Sequence, residues 1–215
     1  MHLKRQAIPK TWPVRRKGTK YVVRPNSNGE HGIPILIVLR DILGVAQNRK
    51  EVKRAIFMKN ILVDGRPARS ENQSILLFDT ISLVPMKKFY RLTMGKNGKF
   101  RVEEISEKDS MRKIMKITDK KTLKGKKVQL NFLEGRNFIS EIKCNTGDSV
   151  VMDFSGKKIE KVIPLKAGSR VFVYSGKHTG ENGEMINFDK KTKTAEVKFD
   201  DKTVRVLTKQ LVAIE

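Results

Sequence analysis

The sequence predicts an α+β, multidomain protein: a small α/β unit near its start, a mostly β centre and a small β-barrel at its end. Apolar residues at helical spacing are concentrated between residues 35 and 56. From residue 86 onward short apolar runs recur, each cut off by glycine or by an Asn/Asp turn, which is the pattern of short strands. A chain of 215 residues has room for one large domain or two to three small ones.

Residues 1–32 read as a basic arm, in which Lys4, Arg5, Lys10, Arg15, Arg16, Lys17, Lys20 and Arg24 are opposed only by Glu30. Pro9, Pro13 and Pro25 lack a backbone donor and disfavour regular helix. Two readings stay open, a flexible tail or an arm that packs against something. Trp12 and Tyr21 favour packing, because solvating tails are poor in aromatics; on an RNA surface such rings can stack on unpaired bases.

Residues 33–85 read as one compact α/β unit. The run at 35–43 is apolar enough for a mostly buried helix and is stopped by Gly44. A second helix starts at Asn48, with Glu51 in capping-box spacing and Val52, Ala55 and Ile56 as its buried face. Arg49, Lys50, Lys53 and Arg54 fall beside and opposite that face, with only Glu51 among them, so the helix cannot neutralise its own charge. Ile61, Leu62 and Val63 lead into Asp64-Gly65, a type I′ hairpin signal. Two short strands are expected at 75–78 and 81–84, and Pro85 closes the unit.

Residues 86–165 read as mostly β, with strands expected at 89–92, 99–105, 128–132, 149–154 and 162–165, and a short helix within 107–117. In residues 166–215, Val171 and Val173 alternate with Phe172 and Tyr174, and a glycine-rich turn follows at 175–184. Ala195, Val197 and Phe199 alternate with Glu196 and Lys198, after which Asp200-Asp201-Lys202 turns into Val204 and Val206. Five short strands in so few residues suggest a small closed barrel, which leaves no exposed edge.

Lys plus Arg number 46 against 23 for Asp plus Glu, a formal net charge of +23. Self-repulsion of that size opposes compaction unless a polyanion neutralises it: a nucleic acid, an anionic membrane surface or an acidic protein. The longest apolar run, 33–39, is far below the roughly 20 residues that span a bilayer. The cations are spread over several segments rather than along one amphipathic helix, so a membrane partner is not expected. The start, MHLKRQAIPK, lacks the apolar core of a secretory signal, and Cys144 is the only cysteine; both point to the cytoplasm.

No catalytic constellation emerges, and neither a cofactor nor a small-molecule substrate is expected. The glycine-rich turn fails as a phosphate loop: His178 stands where Ser or Thr is needed, no glycine lies five residues before Gly176, and no helix is expected after it. It is either a plain tight turn or one whose Lys177 and backbone amides face RNA phosphates. His2, His31 and His178 lie far apart without metal-ligand spacing. Cys144, beside Lys143, has no evident partner, and the acidic pairs Glu103-Glu104 and Asp200-Asp201 sit among lysines that explain them by charge balance. The basic runs lack matching acids, so their expected partner is a phosphate backbone. RNA is favoured over DNA because nothing reads as a base-reading recognition helix or a dimerisation heptad.

Residues 33–85 resemble the S4 RNA-binding domain, on Arg49-Lys50-Glu51-Val52-Lys53-Arg54-Ala55-Ile56 and on Lys59-Asn60-Ile61-Leu62-Val63-Asp64-Gly65-Arg66-Pro67-Ala68. The resemblance implies RNA contacts from the Arg49 helix and the hairpin after it, including Lys59 and Arg66. One departure is Phe78-Asp79, where that domain usually has Gly-Asp. Residues 166–173, with Gly176, Gly180 and Gly183, resemble a KOW motif, which implies an SH3-like barrel. The order of arm (His2-Leu3-Lys4-Arg5 and Pro9-Lys10-Thr11-Trp12), S4-like domain, β-rich middle and KOW tail resembles the small-subunit ribosomal protein family S4e of archaea and eukaryotes, as do Lys124-Gly125-Lys126-Lys127-Val128-Gln129-Leu130-Asn131 and Gly135-Arg136-Asn137. That resemblance implies a structural component of the ribosome, with small-subunit rRNA and neighbouring ribosomal proteins as partners. The length suits an archaeal member of that family.

Overall fold

The structure, a computed structural model, describes all residues except 1, 28, 30, 157, 190, 191, 200, 201 and 215, and only the backbone of Lys126. The chain forms two compact units, Met1–Lys113 and Ile114–Glu215. The turn expected through Asp200-Asp201 lies outside the described residues.

In the first unit the apolar run forms the centre: Ile33, Ile35, Leu36, Ile37, Val38 and Leu39 are all buried. Ile33–Pro34 pairs with Ser74–Ile75, and the chain then turns into a helix, Ile35–Ile37, that widens into a π-helical Val38–Ile42. The Leu43 amide reaches back five residues to the Val38 carbonyl at 2.9 Å, and Gly44 ends the helix at φ +65°. The second helix, Arg49–Phe57, starts as its cap spacing predicts. Asn48 Oδ1 accepts from the Glu51 amide at 3.1 Å, and Glu51 reaches back to the Gln47 amide at 2.7 Å.

An antiparallel sheet carries the rest of this unit, in the order Arg66–Pro67, Ile61–Val63, Thr80–Leu83, Lys88–Met94, Phe100–Ile105. Asp64 and Gly65 sit at φ +48° and +72°, both positive as a type I′ turn requires. Lys88–Met94 pairs directly with Thr80–Leu83, so the sheet continues across the boundary expected at Pro85. The chain passes into the second unit only after residue 113. Phe78 stands at φ +64°, the left-handed conformation that glycine favours, so the turn before Asp79 keeps its geometry at some backbone cost.

The arm folds onto the first unit rather than trailing as a tail. Leu3–Lys4 pairs with Tyr21–Val22, Trp12 is buried with its indole N–H donating to the Gly32 carbonyl at 3.0 Å, and the Phe100 amide donates to the Thr11 carbonyl at 2.8 Å. Trp12 therefore packs internally and is not free to stack on a base, while Tyr21 stays about half exposed.

The helix expected within 107–117 is a single turn, Glu107–Ser110, capped by Ser106. The chain then enters its longest strand, Arg112–Thr122. This strand is central to the first sheet of the second unit, in the order Asn137–Ser140, Val128–Phe132, Arg112–Thr122, Ser149–Asp153, Lys158–Ile163. The second sheet holds five strands, in the order Thr203–Leu207, Thr194–Lys198, Asn182–Asp189, Arg170–Val173, Leu211–Ala213. Its outer strands, Thr203–Leu207 and Leu211–Ala213, are joined by the 3-10 turn Thr208–Gln210. Met115, Ile117, Leu130 and Phe132 anchor one core of this unit, and Val171, Val173, Met185 and Val197 another. The whole is mostly β, with few helices.

Candidate nucleic-acid interface

The helix Arg49–Phe57 buries Val52 and half-buries Ala55 and Ile56, which leaves Arg49, Lys50, Lys53 and Arg54 exposed on its other sides. They are not all unopposed. Glu71, 22 residues further on in the sequence, accepts from the Arg49 guanidinium at 2.6 Å and lies 3.5 Å from Lys53 Nζ. Burial works to raise the Glu71 pKa, but the Arg49 hydrogen bond and the charges of Arg49 and Lys53 outweigh it, so the carboxyl titrates below its ordinary value. Arg49 is thereby oriented as well as partly neutralised. Lys50 and Arg54 have no ion-pair partner among the described residues. Lys59 continues the basic line in a left-handed conformation (φ +58°), and Arg66 is exposed on the outer strand of the hairpin.

The arm gathers a second basic cluster. Arg5 is consumed internally: its guanidinium donates to the Thr19 carbonyl at 2.6 Å, the Arg15 carbonyl at 2.6 Å and the Thr19 hydroxyl at 2.7 Å. It closes the arm into a loop, which spends three of its five N–H donors on organising the arm. Around it a cavity of about 550 Å³ is lined by Lys10, Arg15, Arg16, Lys99 and Asn97, with Ile8, Pro9 and Val14 as apolar wall and no carboxylate. Lys99 and Asn97 come from the turn between Lys88–Met94 and Phe100–Ile105. Sequence reasoning missed them because nothing local ties that turn to the arm. Lys4 and Lys17 are exposed beside this loop in the sequence, outside the cavity lining.

Lys177 belongs to the second unit and is exposed on the turn 175–180. That turn holds itself together: the Thr179 hydroxyl donates to the Gly176 carbonyl at 2.6 Å, and the Gly180 amide to Val173 at 2.8 Å. His178 is half-buried, stacked on Phe199 with 5.4 Å between ring centroids and 3.2 Å from Glu181. Cys144 is buried, and burial pushes its thiol pKa up, which weakens it as a nucleophile. Among the described residues no three His, Cys, Asp or Glu side chains gather to hold a metal ion, and no helix is long and apolar enough to cross a membrane.

Exposed cations presented by a helix face, a hairpin and an arm, on small antiparallel sheets, define a polyanion-binding protein. The chain matches the family described as RS4NT (NUC023) domain over residues 1–33, and the one described as Ribosomal family S4e over residues 86–159. It is 38% identical over 187 residues to the small ribosomal subunit protein eS4 of Methanocella arvoryzae, covering 86% of this chain and 79% of that one. To the protein of the same name from Nanoarchaeum equitans it is 34% identical over 195 residues, 87% of this chain and 83% of the relative. The chain belongs to the ribosomal protein S4e family. Its fold is similar to the crystal structure of the 30S ribosomal protein S4e from Thermoplasma acidophilum, with a TM-score of 0.74 at 21% identity over 86% of this chain and 95% of that one.

Proposed function

We propose that this protein is a structural constituent of the small subunit of the cytoplasmic ribosome, where it binds small-subunit rRNA and touches neighbouring ribosomal proteins. The observation that carries the reading is family membership over most of the chain's length, joined to a net charge of +23 that favours a polyanionic partner.

In this reading the chain works in four segments within its two compact units: the arm at 1–32, an S4-like RNA-binding domain at 33–85 whose sheet is extended by Lys88–Met94 and Phe100–Ile105, a β-rich middle at 86–165 that begins with those strands, and a KOW-type SH3-like barrel at 166–215. The S4-like reading is supported by the capped basic helix leading into the Asp64-Gly65 hairpin. The barrel reading is supported by the five-strand order and by the 3-10 turn between its outer strands. The rRNA contacts fall to Lys50, Lys53, Arg54, Arg49, Lys59 and Arg66 in the first of these modules, to Lys4, Arg15, Arg16 and Lys17 in the arm, and to Lys177 in the barrel turn. These cations neutralise phosphates and release counterions, which supplies affinity without sequence readout.

The test is binding of the full chain to purified small-subunit rRNA over a salt series. With about six to ten phosphates neutralised, affinity falls by roughly 10³–10⁵ between 50 and 200 mM salt. A flat salt response removes phosphate neutralisation as the source of binding.

A further inference from the structure

The basic helix ends on a side chain that the fold leaves in water. Phe57 is 88% exposed, Met58 after it 52%, and Val84 and Met86 are exposed as well. The Val84 amide donates to the Asn60 carbonyl at 2.9 Å, which fastens the 84–86 turn just beyond the end of the helix. Helical spacing places Phe57 three residues after Arg54, four after Lys53 and seven after Lys50, so these side chains share one face. Lys59 and Lys87 are exposed in the flanking turns, and Lys88 at the start of the strand Lys88–Met94. Within the helix the only acid is Glu51, and its oxygens are occupied by the Gln47 amide and the Asn48 side chain. The helix therefore presents an exposed aromatic ring with cations at the neighbouring positions of the same face.

Phe57 has no part in folding that explains it. The buried stripe is already made by Val52, Ala55 and Ile56, and phenylalanine is a poorer helix former than the lysine or glutamate a solvated position usually carries. We infer that Phe57 is a stacking platform for an unpaired RNA nucleotide, with Lys50, Arg54 and Lys59 holding the phosphates on either side of it. A base offers an apolar face for the ring and a flanking negative charge for each cation, which matches an apolar centre bordered by Lys50, Arg54 and Lys59. The inference rests on the helix being an RNA-contacting element, and it adds that the helix meets a loop, bulge or strand end rather than regular duplex.

The experiment measures binding of the full chain to purified small-subunit rRNA for Phe57→Ala, Phe57→Leu and Phe57→Tyr, beside the double variant Lys50→Glu/Arg54→Glu. All these positions are exposed, and a thermal melt of each variant verifies folding. Stacking predicts a loss of about ten- to a hundredfold for both alanine and leucine, and wild-type affinity for tyrosine. It also predicts that Phe57→Trp emission is quenched by the rRNA beyond the change shown by the wild type, whose single tryptophan, Trp12, is buried. Leucine binding as tightly as phenylalanine overturns stacking in favour of plain apolar contact. An unaffected Phe57→Ala beside a crippled charge-reversal variant overturns the platform and leaves the RNA-binding helix standing. If neither variant weakens binding, the helix reading falls with it.

Discussion

Lys116 Nζ donates to the Leu211 carbonyl at 2.7 Å, tying the chain's longest strand to its last one. The same ammonium donates to the carbonyls of Thr208 at 2.8 Å and Lys209 at 3.1 Å, and lies 5.7 Å from the Tyr174 ring centre. One buried cation thus satisfies three backbone acceptors around the 3-10 turn that joins the outer strands of the second sheet.

Replacing Lys116 by methionine keeps the stem and removes a charged donor from all three carbonyls; Thr208 keeps the Leu211 amide and Lys209 the Tyr174 hydroxyl, whereas Leu211 loses its side-chain donor. The expected loss is about 2–4 kcal/mol of unfolding free energy, read by urea denaturation followed in the near-UV. A change below about 0.5 kcal/mol would mean that water replaces the ammonium without cost.

Burial pulls the Lys116 pKa down to about 8, whereas in the unfolded chain it titrates at the ordinary lysine value, near 10.5. Between those values the unfolded state binds more protons, so the pH-dependent part of the lysine's contribution is full above about 10.5 and is lost as pH falls through 8, where the hydrogen bonds of the ammonium remain. Relative to Lys116→Met, the wild type gains stability from pH 8 to 10.5, by up to about 3 kcal/mol. Parallel melts over that range check the sign, which the opposite slope would reverse.

In the first unit Lys113 is fully buried in an ion pair with Asp79, and Asp64 lies 3.6 Å from its ammonium. Asp64 also accepts from the Thr80 amide at 2.9 Å, and Asp79 from the Leu76 amide at 2.6 Å, so both carboxylates are built into turns. Lys113→Met leaves two buried carboxylates without this cation and destabilises the protein by about 3–5 kcal/mol, measured by thermal denaturation.

Gly183 has no room for a side chain. A Cβ there would stand 2.5 Å from Val197 Cγ1 and 2.7 Å from the Lys198 carbonyl oxygen, and a backbone atom cannot move aside cheaply. Gly183→Ala is expected to cost about 1–3 kcal/mol and to disturb the pairing of Asn182–Asp189 with Thr194–Lys198, seen as amide shift changes confined to those strands.

Lys50→Glu/Arg54→Glu is the cleaner charge reversal of the basic helix. Arg49→Glu would set a second carboxylate against Glu71 and mix a folding defect with a binding one. The double variant should weaken rRNA binding at least about tenfold and make the salt slope shallower by about two, with an unchanged melting temperature.

The features legible in the sequence were local. The Asn48–Glu51 cap, the Asp64-Gly65 turn and the strand Val128–Phe132 each depend on neighbours within a few residues, and each formed as expected. Arg112–Thr122 was hidden because Lys113 and Lys116 look like solvated lysines. Their partners stand 34 and 92 to 95 residues away, which no periodicity reveals. The same distance effect hid Glu71 from the basic helix and Lys99 from the arm. Phe78 was visible as a departure, and its φ of +64° shows that the backbone kept the glycine conformation without the glycine.

The most direct measurement of the central claim is sedimentation of the tagged protein through a sucrose gradient, from a lysate of the cells that make it. A structural constituent comigrates stoichiometrically with small subunits and stays there through a moderate salt wash. Recovery mainly in the light fractions, with free RNA or with none, would contradict that role and leave an RNA-binding factor that cycles on and off.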